Sequence, residues 1–321
     1  METSAEEIAV DIPDLIRIYK DGHFEKFHVP GSDIVPPGID PSTGVNSKDV
    51  VYSPETNMFA RLYIPKNATP TRKLPLLTFI HGGGFVIGTA ASSLYHNFLN
   101  LLVSEANVAV VSVEYRLFPE FQLHIAYGDS WEAIKWVERH VNGIGPEPWL
   151  NEYVDFEKVF LAGDSAGANI AHQMAIRVGS NSLDGMRFQG AILLHPYFWG
   201  KERVGTESEW MEPTMIRYLD NIWDVLKPEG SPGLDDMLIN PGMDPRIVSM
   251  GVSEILVCVA GDDFMRERDR NYKKLIEESG WKGKLEVVEH KGEGHVFFYN
   301  NLLSENAIAL RTRVSAFINK T

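Results

Sequence analysis

Val159-Phe160-Leu161-Ala162-Gly163-Asp164-Ser165-Ala166-Gly167-Ala168-Asn169-Ile170-Ala171-His172-Gln173-Met174-Ala175 runs from an apolar strand, past a serine between two glycines, into a helix. Gly163-x-Ser165-x-Gly167 at such a junction has the pattern of a nucleophile elbow. A sharp strand-to-helix turn strains the central serine. Its flanks must be small, because neighbouring backbone passes close to them. The turn lifts the hydroxyl clear of the sheet and sets it at a helix N-terminus, whose dipole favours developing negative charge.

Outward from this turn, apolar strands alternate with helical stretches. The strands are Leu74 to Ile80, Val108 to Val113, Lys158 to Ala162, Gly190 to Leu194, Ile255 to Ala260 and Lys284 to Val288. The helices between and after them are Ser92 to Glu105, Ala126 to His140, Ala166 to Val178, Arg266 to Ser279 and Glu305 to Ile318. Continuous apolar strands alternating with helices predict an α/β fold: a mostly parallel, eight-stranded sheet with helices on both faces. Upstream, Ile16 to Lys20 and His23 to Phe27 flank Asp21-Gly22, a hairpin signal. Two more strand-like runs, Ser47 to Tyr52 and Phe59 to Ile64, follow a Pro/Gly-rich loop from Pro30 to Gly44. These opening hairpins are expected to supply antiparallel strands at one sheet edge.

A serine alcohol needs a base. In α/β-hydrolases the partners follow in the order Ser, acid, His. Asp262 and Asp263 follow the strand Ile255 to Ala260, and His295 follows the last strand after Gly292-Glu293-Gly294. Spacing leaves the two aspartates as alternatives. Among the other histidines, His172 is expected to face sideways and His195 to pack at a strand end, while His96, His140 and His290 read as solvated. Phe79-Ile80-His81-Gly82-Gly83-Gly84-Phe85 supplies bare backbone N–H groups for an oxyanion, as does Ala166 after the nucleophile. A phosphate cradle is disfavoured, since no G-x-x-x-x-G-K-[ST] run occurs and no G-x-G-x-x-G opens a helix.

The chain of 321 residues reads as one domain, 1–321, with an N-terminal cap over about 1–45. The stretch from about 196 to 248 breaks the rhythm, holding Trp199, Trp210, Trp223, Met211, Met215 and Met237 among prolines, glycines and acids. It reads as a substrate-covering lid; the plainer reading is a subdomain that completes the core. Net charge is −14, which disfavours nucleic acid and anionic membrane as partners. No window approaches a membrane span, and Met1 to Glu7 lacks a signal-peptide pattern. The single cysteine, Cys258, sits in an apolar strand and excludes an intrachain disulfide, which suits a reducing compartment. The protein is therefore expected to be cytosolic.

His81-Gly82-Gly83-Gly84-Phe85, Val113-Glu114-Tyr115-Arg116-Leu117, Gly163-Asp164-Ser165-Ala166-Gly167-Ala168-Asn169-Ile170, His195-Pro196-Tyr197-Phe198-Trp199, Glu278-Ser279-Gly280-Trp281-Lys282-Gly283 and Gly292-Glu293-Gly294-His295 together resemble the plant carboxylesterases of the hormone-sensitive-lipase group, over nearly the whole chain. The resemblance implies an α/β-hydrolase fold and carboxylic ester hydrolysis, with Ser165, Asp263 and His295 catalytic. It selects Asp263 over Asp262, and places the oxyanion hole at Gly83, Gly84 and Ala166. It also implies that the N-terminal segment and the insertion after His195 cover the pocket.

The substrate wall is expected to include Phe85, Phe118, Tyr197, Trp199 and Val296. A small-molecule substrate suffices, no metal or organic cofactor is needed, and a homodimer is compatible with the sequence. The same family holds a gibberellin receptor without the histidine, a 2-hydroxyisoflavanone dehydratase, and alkaloid cyclases related to tabersonine and catharanthine synthase. Retention of all three residues here argues against a receptor and leaves elimination or cyclisation as the alternative to hydrolysis. The chain departs from the family at Phe118, Phe121, Gln122, Gly128, Val86, Gly261-Asp262 and the run Val296-Phe297-Phe298-Tyr299-Asn300-Asn301. Phe118 and Phe121 either repack a loop or face the pocket, in which case a bulky planar substrate follows.

Overall fold

The computed structural model describes residues 7–181 and 183–320. Met1 to Glu6, the start of the expected N-terminal cap, lie outside them. The chain begins with three short antiparallel strands, β1 (Ile8–Ile12), β2 (Ile16–Tyr19) and β3 (Phe24–Lys26). Then come β4 (Asn46–Ser53), β5 (Met58–Ile64), β6 (Leu74–Ile80), α1 (Ser93–Ala106), β7 (Ala109–Val113), α2 (Leu123–Glu138), α3 (Pro148–Tyr153) and β8 (Val154–Asp164). The chain continues through α4 (Ala166–Ser180), β9 (Phe188–Leu194), α5 (Glu207–Trp210) and α6 (Pro213–Leu226). It closes with β10 (Glu254–Ala260), α7 (Arg266–Ser279), β11 (Lys284–His290) and α8 (Glu305–Ile318).

Eight strands form one sheet in the order β11-β10-β9-β8-β6-β7-β5-β4. From β11 to β7 every pairing is parallel, while β5 and β4 pair antiparallel at the edge. The opening hairpin does not join this edge. β1, β2 and β3 make a separate small sheet, and only β4 and β5 supply the antiparallel strands. Alternation along the buried strands sorts the core into two layers. Leu256, Cys258 and Ala260 face α1 and α8, packing with Phe98, Leu102, Leu310 and Phe317. Ile255, Val257 and Val259 face the other side, with Ile134, Ile170, Met174 and Tyr272 of α2, α4 and α7.

Cys258 is fully buried, its thiol pushed up to about 12 by that burial, as suits a small apolar strand residue. Among the described residues no helix is long and apolar enough to cross a membrane.

Candidate active site

The elbow is built as its residue types require. β8 is flanked by β6 and β9 and ends at Asp164, and α4 starts at Ala166. Between them Ser165 holds φ 50°, ψ −119°, a strained conformation for a residue with a Cβ. A Cβ on Gly163 would overlap the Gly167 backbone, and one on Gly167 would overlap the carbonyl oxygens of Ile80 and His81. The flanking glycines are therefore set by the approach of α4 to the end of β6.

Two further strand ends bring the partners. Asp263 follows β10; it is fully buried, and its Oδ1 accepts the N–H of Met265 at 2.9 Å. His295 follows β11 after a short loop. Its Nδ1 lies 2.6 Å from Asp263 Oδ2, and its Nε2 lies 2.9 Å from Ser165 Oγ. Asp262 is exposed and stands outside this chain of contacts. Burial opposes ionisation of Asp263, but the charge of His295 and its hydrogen bond hold the carboxyl below the usual range. Burial likewise opposes charge on His295, yet the Asp263 charge and hydrogen bond, with Asp164 behind them, raise it above its ordinary value.

The loop after β6 supplies donors. Gly83 (φ 97°) and Gly84 (φ 61°) line the cavity beside Ser165, and their N–H groups have no partner among the described residues. The loop is held from below, where Asp164 Oδ1 accepts the N–H of Gly82 at 3.0 Å and the hydroxyl of Tyr299 at 3.2 Å. Asp164 is only 2% exposed, and burial pushes its carboxyl up to about 7, against those hydrogen bonds.

A cavity of about 540 Å³ opens over Ser165. Of the residues named for the substrate wall, Tyr197 and Val296 line it, whereas Phe85, Phe118 and Trp199 do not. Phe85 is buried beneath the glycine loop against Tyr127 and the edge of Tyr197. Trp199 is fully buried, with its indole N–H donating to Asp220 at 2.7 Å. Phe118 packs against the core, and Phe121 lies exposed under the Arg116 guanidinium, so both belong to loop packing. The wall comes instead from Leu15, Phe27, Met215, Leu219, Ile222 and Phe264. Phe264 directly follows Asp263 in sequence, and Met215, Leu219 and Ile222 of α6 fall inside the stretch read as a lid, at the apolar spacing 215, 219 and 222.

The other histidines divide differently from the sequence reading. His140 and His290 are buried rather than solvated. His140 Nε2 accepts the Glu147 N–H at 2.9 Å, and His290 packs on Phe297. His172 is buried behind the elbow helix between Phe198 and Tyr272. His195, assigned to packing, does more: its Nδ1 accepts the N–H of Val296 at 2.8 Å. His195, Asp263 and His295 place metal-ligand atoms within 4.8 Å of one another, but His195 Nδ1 and His295 Nδ1 are committed to hydrogen bonds.

Residues 77–299 match the family described as alpha/beta hydrolase fold. The chain is 45% identical over 318 residues to the probable carboxylesterase 1 of Arabidopsis thaliana, covering 97% of this chain and 98% of the relative. It is 41% identical to the 2-hydroxyisoflavanone dehydratase of Glycyrrhiza echinata, over 98% of both. A solved fungal esterase structure from Rhizomucor miehei superposes with a TM-score of 0.70 at 21% identity, covering 89% of this chain and 85% of that one, a likeness of fold. With the elbow, the sheet order and full-length relatives in agreement, the chain belongs to the α/β-hydrolase fold family and to its plant carboxylesterase group.

Proposed function

We propose that the protein is a serine carboxylesterase acting on small or bulky planar carboxylic esters through Ser165, His295 and Asp263. The observation that carries this is the continuous path from Ser165 Oγ to His295 Nε2 (2.9 Å) and from His295 Nδ1 to Asp263 Oδ2 (2.6 Å). Ser165 Oγ attacks the ester carbonyl while its proton passes to His295 Nε2. The oxyanion takes hydrogen bonds from the N–H groups of Gly83, Gly84 and Ala166. The C–O bond to the alcohol then breaks, and His295 returns the proton to the departing oxygen. Water, deprotonated by the same nitrogen, cleaves the acyl-enzyme to the acid and free Ser165. Asp263 holds the imidazole tautomer and stabilises the imidazolium. The lone buried thiol supports the cytosol as the compartment. Turnover of a short-chain 4-nitrophenyl ester tests the reading; a Ser165→Ala protein as active as the parent sinks it.

A second reading, elimination or cyclisation with His295 as a base, draws support from the full-length dehydratase relative. The raised carboxyl of Asp164 on the cavity wall adds a second group able to hold a proton. The readings separate on one variant: Ser165→Ala ends ester hydrolysis and leaves a histidine-driven elimination measurable.

A further inference from the structure

Asp14 and Asp164 put two carboxylates on the cavity wall, and among the described residues that wall holds no lysine or arginine. The cations of the N-terminal strands are already engaged: Arg17 with Asp11 at 2.9 Å, Lys20 with Glu7 at 2.6 Å and Lys26 with Glu120 at 2.6 Å. His295 is tied to Asp263 and Ser165. The remaining polar wall is neutral. Ser32, Ser92, Tyr197 and Tyr218 are among its uncharged polar side chains. Leu15, Phe27, Ile87, Leu219, Ile222 and Phe264 supply apolar surface.

We infer that the site selects substrates by charge, taking neutral or cationic esters with apolar acyl or alcohol groups and rejecting esters that carry a carboxylate, phosphate or sulfate. This rests on the esterase reading above. An anion entering the cavity loses its water and meets no lysine or arginine; it faces the Asp14 carboxylate at the exposed rim and, above about pH 7, an ionised Asp164 as well. A neutral ester or ether oxygen costs far less to desolvate than a charge does, so uncharged polar esters lose little.

The test compares three substrates at pH 8: 4-nitrophenyl hexanoate, the mono-4-nitrophenyl ester of adipic acid, and the methyl ester of that adipate. The first and third are expected within about tenfold of one another in kcat/KM, and the free carboxylate about a hundredfold or more below them. Met215→Lys places a cation at a half-exposed wall position and is expected to recover about tenfold on the carboxylate ester alone. Equal turnover of all three overturns the inference. If no ester is hydrolysed, the esterase reading fails, and the charge rule is judged by calorimetric binding of butyrophenone against 4-oxo-4-phenylbutanoate. Butyrophenone binding about tenfold or more tighter supports it; equal affinity, preference for the carboxylate, or no binding of either overturns it.

Discussion

The backbone N–H of Val296 donates to His195 Nδ1 at 2.8 Å, so the residue after His295 is tied to the one that follows β9. Both residues hold φ 47°, a region costly for residues with a Cβ. His195 is fully buried, and burial pushes its pKa down to about 3, so the ring stays neutral and can accept.

His195→Phe fills the same space but strands the Val296 N–H. A loss of about 1–3 kcal/mol in urea unfolding is expected, with a fall in kcat as His295 loosens. His195→Asn keeps an acceptor and tolerates positive φ, and so retains more activity. A Phe variant with the parent's unfolding curve and kcat would show that the contact does nothing.

On the esterase reading proposed above, the pH–rate profile reports His295. The base must be unprotonated to take the Ser165 proton, so kcat/KM rises with pH. Because Asp263 and Asp164 outweigh burial, the midpoint lies above the ordinary 6.5. Asp263→Asn removes the opposing charge, so the midpoint falls, and kcat drops by about 10³–10⁴-fold as the tautomer is lost. A midpoint below 6.5 in the parent protein contradicts the assigned electrostatics.

What was legible in the sequence follows from locality. The elbow, the strand ends bearing Asp263 and His295, and the glycine loop are short runs whose residue types are fixed by backbone geometry within a few positions. The cavity wall is set by long-range docking: Leu15 on the N-terminal segment meets Gly84, and the hydroxyl of Tyr218 on α6 donates to the Pro13 carbonyl at 3.0 Å. Nothing local distinguishes those residues from ordinary core. Phe85 and Trp199 misled for the same reason. They sit beside the glycine loop and His195 in sequence, but turn beneath the loop and into the insertion. The opening hairpin showed its pairing but not its sheet, because its partner strands, β1 to β3, satisfy one another.

Asp164 makes stability depend on pH in an unusual direction for an aspartate. Its carboxyl rises from 3.8 to about 7 on folding, chiefly through burial, so the native state binds the extra proton. Its contribution is full below pH 3.8 and is lost as pH rises through about 7, with a ceiling of about 4 kcal/mol. Asp164→Asn keeps an acceptor for Gly82 and Tyr299 and abolishes this dependence. The variant is therefore expected to lose less stability than the parent between pH 5 and pH 8 in urea unfolding. Glu114, also pushed up to about 7 by burial, leaves a residual slope in both proteins. Identical slopes would rule out a protonated Asp164.

Two glycine substitutions separate the elbow from the oxyanion loop. A Cβ at Gly167 meets the carbonyl oxygens of Ile80 and His81, main-chain atoms that the sheet holds in place. Gly167→Ala therefore has to push α4 off the end of β6, and a loss of about 3 kcal/mol or more is expected, with little folded protein recovered. At Gly84 the nearest atoms to a Cβ are the tips of Leu15, at 3.1 and 3.2 Å, and a side-chain tip can turn aside. The positive φ of 61° adds about 1 kcal/mol. Gly84→Ala is thus expected to fold, with a melting temperature a few degrees below the parent, yet to lose kcat by about tenfold or more as a donor shifts from the oxyanion. Should Gly84→Ala keep full kcat, Gly84 does not serve the oxyanion; should Gly167→Ala fold as stably as the parent, the close approach of α4 to β6 does not explain that glycine.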